Sequence, residues 1–422
     1  MNKRVYIFKQ KFLEKINIIK IKIKQWNILF TINNICRKKW FKKFFSIILV
    51  FILLFIDKII KKDNSRYVAL YKAQRYMTIC LYDILINKIK FNNINETKIS
   101  VIIPVFNCEK TIKSAVRSIQ NQNMSEIEIL LINDFSNDTT LRIIEDLNFN
   151  DSRIRIINNK KNMGTLYSRC IGVLKAKGKY ILALDNDDLF MDYDLFDLVF
   201  EEAEKGKYDI VGFKAVRGSS YNINVVNLVD DVFHDISNNL ILHQPELGIH
   251  SFTKDGNYII NDIHIWGKCI NTQIYKKGVN AMGEKRYSTF MSWAEDTSMV
   301  FVLFNIAKSF KFISKYGVFH LMSEKTACFT QPDDNKMFGE IFLLDIMFDF
   351  SNNDFKGKHL LVGKSLEIRN YDFFNLFNES NVKYLDYVLK KIINSKYLTI
   401  EDKNIIRQNY SEFNLTEYKM IK

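Results

Sequence analysis

Between Lys98 and Asp188, short apolar runs rich in β-branched residues alternate with segments that have the apolar spacing of helices. The runs are KISVIIPVFN, EIEILLIND, RIRIINN and KYILALDNDD, and helical patterns such as TIKSAVRSIQNQ and TTLRIIEDL separate them. Short buried strands that alternate with helices are typical of βαβ units. The alternation therefore predicts an α/β fold with a mostly parallel sheet flanked by helices.

Each of these runs ends in a polar residue. The four residues are Asn107, Asp134, Asn158 and Asp185. Open parallel sheets bind ligands in the crevice at the carboxyl ends of their strands. We therefore predict a binding site at this edge, assembled from several separate strand-to-helix loops.

The fourth run delivers an acidic cluster, with Asp185, Asp187 and Asp188 around Asn186. Carboxylates so close together repel each other and raise each other's pKa unless a positive group lies among them. Their oxygens suit Mg²⁺ or Mn²⁺ rather than zinc, and such an ion commonly holds substrate phosphates. The cluster predicts a metal and diphosphate site. A solvated acidic turn or a helix N-cap is the alternative, because Asp is common there.

The positive charge is concentrated at the start of the chain. Residues 1–97 carry 21 Lys and Arg against 5 Asp and Glu, whereas residues 98–422 carry 40 against 42. Binding of a nucleic-acid backbone needs a basic face on the binding domain, so we expect no nucleic-acid partner. We expect the basic segment to face a membrane surface. The six cysteines are scattered and have no spacing typical of a zinc site.

A basic arm, residues 1–43, leads into the apolar run FFSIILVFILLFI. A helix of that length rises about 20 Å, short of the roughly 30 Å hydrocarbon core. Flanking lysines can extend it by reaching the headgroups. We predict a membrane anchor over 44–60, single-pass with a cytosolic N-terminus, in the ER or Golgi of a eukaryote or the inner membrane of a bacterium. A helix lying in the interface or buried in the core is the alternative.

The remaining chain divides by composition. Residues 61–97 are predicted to form a helical stem among the membrane-associated N-terminal helices or, alternatively, a helix packed on the catalytic domain, which is predicted over 98–335. Within it, the long polar stretch 214–264 is typical of a lid or binding element. Residues 336–422 have helical spacing and form a predicted helical C-terminal region.

Four motifs, in order, resemble those of the family 2 glycosyltransferases, which have the GT-A nucleotide-diphospho-sugar transferase fold. VIIPVFN looks like that family's first strand, and LINDFSND like its Asp-Asp-Gly-Ser turn. NMGTLYSRCIGVLKAKGKYILALDNDD is similar to its block from Ala-Arg-Asn to Asp-x-Asp-Asp, and WAEDTSMVF to the helix start that bears the catalytic base. The resemblance covers about residues 98–330.

On the donor side, the resemblance implies a role for each matching residue. Pro104 and Phe106 would line the nucleotide pocket, and Asp134 would hydrogen-bond the base, most often uracil. Arg169 would lie near the nucleotide or orient the acidic cluster. Asp185 and Asp187 would face the ribose and sugar, and Asp187 and Asp188 would bind a Mn²⁺ or Mg²⁺ ion.

On the acceptor side, Asp296 would be the general base, and Glu295 would support it or contact an acceptor hydroxyl. Trp266 and Lys268 would border this side. The resemblance implies an inverting hexosyl- or N-acetylhexosaminyl-transferase. It would move a sugar from a nucleotide-sugar donor, expected to be a UDP-sugar, to a glycan, lipid or protein acceptor in one metal-assisted displacement.

Three positions depart from the family pattern, namely Asn133, Phe135 and Cys170, where Asp, Gly and Asn are usual. None of them removes a carboxylate that the chemistry needs. Two other readings stay open. One is a catalytically inactive scaffold at a membrane, and the other is a nucleotidyltransferase, against which the lack of glycine after the first strand argues.

Overall fold

The computed structural model describes residues 96–218, 229–230, 240–243, 250–252, 258–260, 264–291, 293–321, 334–350, 379–396 and 398–410. The basic arm 1–43, the predicted anchor 44–60 and almost all of the predicted stem 61–97 lie outside these residues. So does much of the polar stretch 214–264. In the described ranges, no helix combines the length and apolar character needed to cross a bilayer.

The strands belong to one large sheet and one small one. In chain order they are β1 (Ile99–Val105), β2 (Ile127–Asn133), β3 (Ile154–Asn158), β4 (Tyr180–Ala183), β5 (Leu189–Phe190), β6 (Ile210–Gly218), β7 (Val229–Asp230), β8 (Ile241–His243), β9 (His250–Phe252), β10 (Tyr258–Ile260), β11 (Lys268–Asn271) and β12 (Ser309–Leu321). The large sheet has the order β3-β2-β1-β4-β11-β6-β12-β5, with β7 paired to β6 and β8 to β12. Strands β9 and β10 form a separate antiparallel pair.

The helices flank this sheet. In chain order they are α1 (Ile112–Gln120), α2 (Thr140–Asn150), α3 (Thr165–Lys175), α4 (Leu195–Gly206), α5 (Thr272–Met282), α6 (Glu284–Tyr287), α7 (Glu295–Ile306), α8 (Asp334–Phe350), α9 (Glu379–Ile393) and α10 (Ile400–Asn409).

The first half of the sheet is parallel, as the sequence predicts. β1 pairs in parallel with β2 and β4, and β2 pairs in parallel with β3. All seven residues of β1 and of β2 are buried. That burial explains their uninterrupted apolar sequences, because a parallel strand is covered on both faces.

The prediction of a mostly parallel sheet is wrong for the second half. β11 lies between β4 and β6 and is antiparallel to both. β12 is parallel to β6 but antiparallel to β5 and β8. An apolar run does not encode strand direction, and antiparallel neighbours do not need the helical crossover that marks a βαβ unit. The sheet is therefore mixed.

Two apolar cores lie on opposite faces of the sheet. Val101 and Ile103 of β1 point into the core formed with α1, α2 and α4. Ile102 points into the other core, which α3, α5 and α7 cover. Helix α3 approaches β1 closely at Gly172, where a Cβ atom would lie 2.5 Å from Ile102 Cγ2. Successive residues of the strand thus point to opposite faces of the sheet.

The C-terminal helices pack into the second of these cores. Leu344 of α8, Leu389 of α9 and Ile406 of α10 are buried in it. Helix α8 also contacts the segment before α7, because the indole nitrogen of Trp293 donates to Glu340 Oε1 at 2.6 Å. Helix α8 therefore abuts the segment that leads into α7.

Candidate active site

The carboxyl ends of the parallel strands meet at one edge of the sheet. Val105 is in register with Asn133, which is in register with Asn158. The residues that follow these three strand ends are therefore neighbours across the edge. β4 runs in the same direction and delivers Asp185 there. The structure places the polar strand ends together, where the sequence predicts a site.

Hydrogen bonds connect the turn after β1 with the turn after β2. The backbone N–H of Asn107 donates to Ser136 Oγ at 3.2 Å, and that of Asn137 donates to Asn107 Oδ1 at 2.9 Å. Asn107 and Phe135 both have positive φ, 45° and 65°. Phe106 and Phe135 are 41% and 57% exposed. The turns are thus fixed while their aromatic residues face outward.

Pro104 and Asn186 connect the first strand to the acidic cluster. Pro104 is buried, and its carbonyl accepts a hydrogen bond from Asn186 Nδ2 at 3.1 Å. The role predicted for Pro104 in the nucleotide pocket stays a prediction. In the structure, its carbonyl fixes the Asn side chain that lies within the acidic cluster.

Asp134 is buried and fixes the entrance to α3. Its carboxylate accepts from the backbone N–H groups of Met163 at 2.9 Å and Gly164 at 2.7 Å, and from Asn159 Nδ2 at 2.7 Å. Gly164 has φ 88°, which suits glycine at the residue before the helix. Sequence reasoning missed this structural role. A hydrogen bond from Asp134 to a nucleobase stays a prediction.

Arg169 of α3 joins two carboxylates from distant parts of the chain. Its guanidinium donates to Asp185 Oδ1 at 2.9 Å and contacts Asp296 Oδ1, 127 residues away. Its side chain is 3% exposed. Burial opposes the charge, but the carboxylates of Asp296 and Asp185 outweigh it and raise the pKa of Arg169. One buried cation thus links the donor side of the site to the predicted base.

Glu295 and Asp296 begin α7, after Ala294 with φ 60°. Asp296 Oδ2 accepts a hydrogen bond from the backbone N–H of Ile265 at 3.3 Å. Burial, followed by repulsion from Asp296, raises the pKa of Glu295 to about 7, although Arg169 opposes the shift. The pair combines Asp296, which Arg169 and the Ile265 N–H hold in place, with Glu295, whose pKa lies near neutrality.

The carboxyl groups of Asp187 and Asp188 lie where water solvates them poorly. Burial and the carboxylates of Asp188 and Asp185 raise the pKa of Asp187 to about 7, although His320 lowers it. Asp188 is fully buried, and burial raises its pKa. Its carboxylate lies 3.0 Å from His320 Nδ1 and accepts from the backbone N–H of Leu321 at 3.0 Å.

An aromatic stack supports His320. Its ring stacks on the indole of Trp266, with centroids 5.4 Å apart, and His264 lies on the same indole at 4.7 Å. Lys268, also buried, donates to the carbonyl of His264 at 2.5 Å. Trp266 is 1% exposed. Its ring therefore lies behind His320, and its direct contact with a substrate stays a prediction.

Sequence reasoning missed His320. The residue lies in β12, whose SFKFISKYGVFHL sequence partly alternates in hydrophobicity and could have indicated a strand. A single histidine in such a strand predicts no chemistry. Its pairing with Asp188 is visible only in the folded chain.

The donor set at this edge fits a hard divalent ion. Asp187 and Asp188 offer carboxylate oxygens, which suit Mn²⁺ and Mg²⁺, whereas the imidazole of His320 is a softer donor. The raised pKa of Asp187 indicates negative charge that a cation would offset. In the described part of the chain, no three such side chains already converge on one point. These residues therefore suit the ion by their chemistry and their proximity, without forming a complete set of ligands.

Comparison with known proteins identifies the part of the chain that forms this edge. Residues 100–240 match the protein-family model described as glycosyl transferase family 2. This part of the chain is similar to a glycosyl transferase family 2 domain. The matched residues include Arg169 and Asp185, whereas His320 and Asp296 lie beyond them.

Curated glycosyltransferases are similar to part of the chain. An uncharacterized glycosyltransferase of Bacillus subtilis, EpsJ, is 38% identical over 122 residues, which cover 29% of this chain and 35% of EpsJ. A GalNAc(5)-diNAcBac-PP-undecaprenol beta-1,3-glucosyltransferase of Campylobacter jejuni is 32% identical over 116 residues, which cover 27% and 37%. Matches to the first four relatives span only 26% to 38% of their lengths.

A solved structure extends the likeness beyond the family 2 domain. The crystal structure of S. aureus TarS residues 1–349 in complex with UDP-GlcNAc has a TM-score of 0.52 and 15% sequence identity. The match covers 74% of this chain and 88% of that one. At this identity the likeness shows the fold alone, and that fold is the α/β GT-A type predicted from the sequence.

Proposed function

We propose that this chain is an inverting glycosyltransferase that moves a sugar from a nucleotide-sugar donor, a UDP-sugar, to an acceptor hydroxyl. The ion-paired group Asp185, Arg169 and Asp296 carries the proposal. It joins the edge of the family 2 domain to a carboxylate at a helix start from the other half of the chain. UDP is favoured by the family resemblance and by the UDP-GlcNAc complex of TarS, whose fold is similar.

On the donor side, Phe106 and Pro104 border the nucleotide, and Asp134 lies beside it. Arg169 brings a fixed positive charge to the place where charge develops on the leaving diphosphate, and a preorganised charge of this kind stabilises a transition state. A Mn²⁺ or Mg²⁺ ion bound by Asp187, Asp188 and His320 would add positive charge for the same leaving group. Asp185 is held by Arg169 in a position to face the sugar.

On the acceptor side, Asp296 takes the proton from the attacking hydroxyl. The acceptor oxygen then forms a bond to the anomeric carbon, while the bond from that carbon to the diphosphate oxygen breaks. Attack from the face opposite the leaving group inverts the anomeric configuration. The contact with Arg169 fixes the position of the Asp296 carboxylate. Glu295, with a pKa of about 7, lies next to it and can contact the acceptor.

We also propose that the chain acts at a membrane, with the basic arm 1–43 on the cytosolic side and the apolar segment 44–60 as anchor. The excess of 21 basic over 5 acidic residues in 1–97 supports this arrangement. The acceptor would be a glycan, lipid or protein that reaches the same surface.

A donor screen tests the proposed function. The full chain is incubated with Mn²⁺ and a panel of nucleotide sugars, and release of nucleoside diphosphate and the anomeric configuration of the product are measured. We expect one class of UDP-sugar to be turned over with inversion. Nucleotide binding without turnover on any acceptor would favour the inactive scaffold instead. Lack of binding to every nucleotide sugar would contradict the proposal.

A further inference from the structure

Phe135 has a backbone conformation that a bulky residue seldom adopts. Its φ of 65° lies in the left-handed region, where the Cβ atom crowds the following carbonyl and only glycine is free of the penalty. The residue is 57% exposed, so burial within the fold does not offset the strain. Strain of this kind persists where the surrounding structure enforces it, and it concentrates at functional sites.

The neighbouring side chains enforce this turn. Asn133 Oδ1 accepts a hydrogen bond from the backbone N–H of Ser136 at 3.2 Å. Ser136 Oγ in turn accepts from the backbone N–H of Asn107 at 3.2 Å. These contacts come from residues on either side of Phe135 and do not use its ring. A glycine at this position would keep them all, so the turn itself does not require an aromatic side chain.

The position of the ring indicates what it contacts. Val105 and Asn133 are register partners on neighbouring strands, so Phe106 and Phe135 follow at adjacent strand ends. Both rings are partly exposed, at 41% and 57%. Two exposed aromatic residues beside a polar edge suit a flat heterocycle, because every nucleobase has a face that stacks on an aromatic ring.

We propose that Phe135 is a nucleotide-binding residue that contacts the base of the donor and forms an aromatic wall together with Phe106. This inference rests on the proposed function. Because the contact involves only the base, Phe135 strengthens the binding of UDP and of every UDP-sugar by the same factor. It strengthens binding at a cost in fold stability, since its backbone is strained without the ligand.

Three variants separate binding from folding. Phe135→Gly removes both the ring and the strain, whereas Phe135→Leu keeps an apolar side chain and the strain but removes the ring. Phe149→Ala is the matched control, because Phe149 is 85% exposed on α2. For each variant of the full chain, we measure the Kd for UDP and for two UDP-sugars by calorimetry with Mn²⁺, and the midpoint of thermal unfolding without ligand.

Phe135→Gly is expected to raise every Kd about tenfold while raising the unfolding midpoint. Phe135→Leu should raise the Kd similarly without raising the midpoint, and Phe149→Ala should leave the Kd unchanged. If Phe135→Gly binds UDP as tightly as the wild type, the inference is wrong and the proposed function is untouched. If Phe135→Gly lowers the unfolding midpoint, the ring serves the fold and the inference is also wrong. A wild-type chain that binds no nucleotide overturns both.

Discussion

The two halves of the site are fixed by different forces. On the side of β1 and β2, hydrogen bonds within and between the loops hold the turns, and Asp134 accepts from two backbone N–H groups. On the side of β11, β12 and α7, charged side chains from distant segments meet, as in the contact of Asp188 with His320. The first half is a scaffold fixed mainly by loop and backbone contacts, whereas the second depends on paired charges.

This difference sets what each half tolerates. A hydrogen bond between neutral groups contributes about 1 kcal/mol, whereas removing one partner of a buried charged pair costs several times more. We therefore expect substitutions in the second half to change chemistry and metal binding, and those in the first half to change nucleotide affinity or stability.

The largest expected effect is that of Asp296→Asn. The amide cannot take a proton from the acceptor, so transfer should fall about 10²–10⁴-fold, while the Kd for the donor stays within a few-fold of the wild type. Steady-state transfer and calorimetric donor binding measure the two quantities.

Glu295→Gln is the matched control for this substitution, because it changes the neighbouring residue of the same helix start. It should reduce transfer much less than Asp296→Asn. If Glu295→Gln is the more damaging of the two, Glu295 is the base and Asp296 serves only to hold Arg169.

The next effect concerns Asp188→Asn. The amide keeps an oxygen that can accept from the Leu321 N–H and removes a buried acid whose pKa is raised, so the unfolding free energy of the metal-free protein should be unchanged or higher. A clear loss would mean that the contact with His320 outweighs the burial of the charge. Urea unfolding in a chelator measures the change.

Addition of Mn²⁺ provides a second test of the difference between the two halves of the site. It should raise the unfolding midpoint of the wild type and of Asp134→Asn, but not that of Asp188→Asn. An equal rise in all three proteins would place the ion elsewhere.

A smaller effect is expected for Trp293→Phe. The change removes the hydrogen bond to Glu340, which should cost about 1 kcal/mol and lower kcat a few-fold by loosening the start of α7, with donor affinity unchanged. Trp266→Phe makes the same substitution behind His320 and should instead weaken the response to Mn²⁺. Identical profiles for the two variants would mean that α8 does not position α7.

A separate effect is a pH dependence of stability. The pKa of Glu295 rises from 4.5 to about 7 on folding, so its contribution to stability is full below about pH 4.5 and is lost as pH rises through about 7. Glu295→Gln should remove this loss. The difference in unfolding free energy between variant and wild type should therefore change between pH 5 and pH 8 in the variant's favour. A difference that is constant with pH would contradict the assignment.

The sequence was informative where the signal is local. Short buried runs and their polar ends predicted β1 to β4 and brought Asp134 and Asp185 to one edge, because parallel strands share a direction. It also placed Arg169 near the acidic cluster through the family resemblance. His320 was missed because it meets Asp188 across 132 residues. The antiparallel β11 was missed because four residues with no flanking pattern do not reveal their direction.

The place of β11 has a practical consequence for dividing the chain. The match to the family ends at residue 240, yet Lys268–Asn271 fills the gap between β4 and β6. A fragment that stops at the family boundary would leave β4 as a bare edge, with four buried apolar positions and no partner on one side. Thr272, which donates to the carbonyl of Gly178 at 2.6 Å, would also be lost. Open apolar edges recruit other chains, so such a fragment should aggregate, and a fragment that keeps β4 paired has to extend past Thr272.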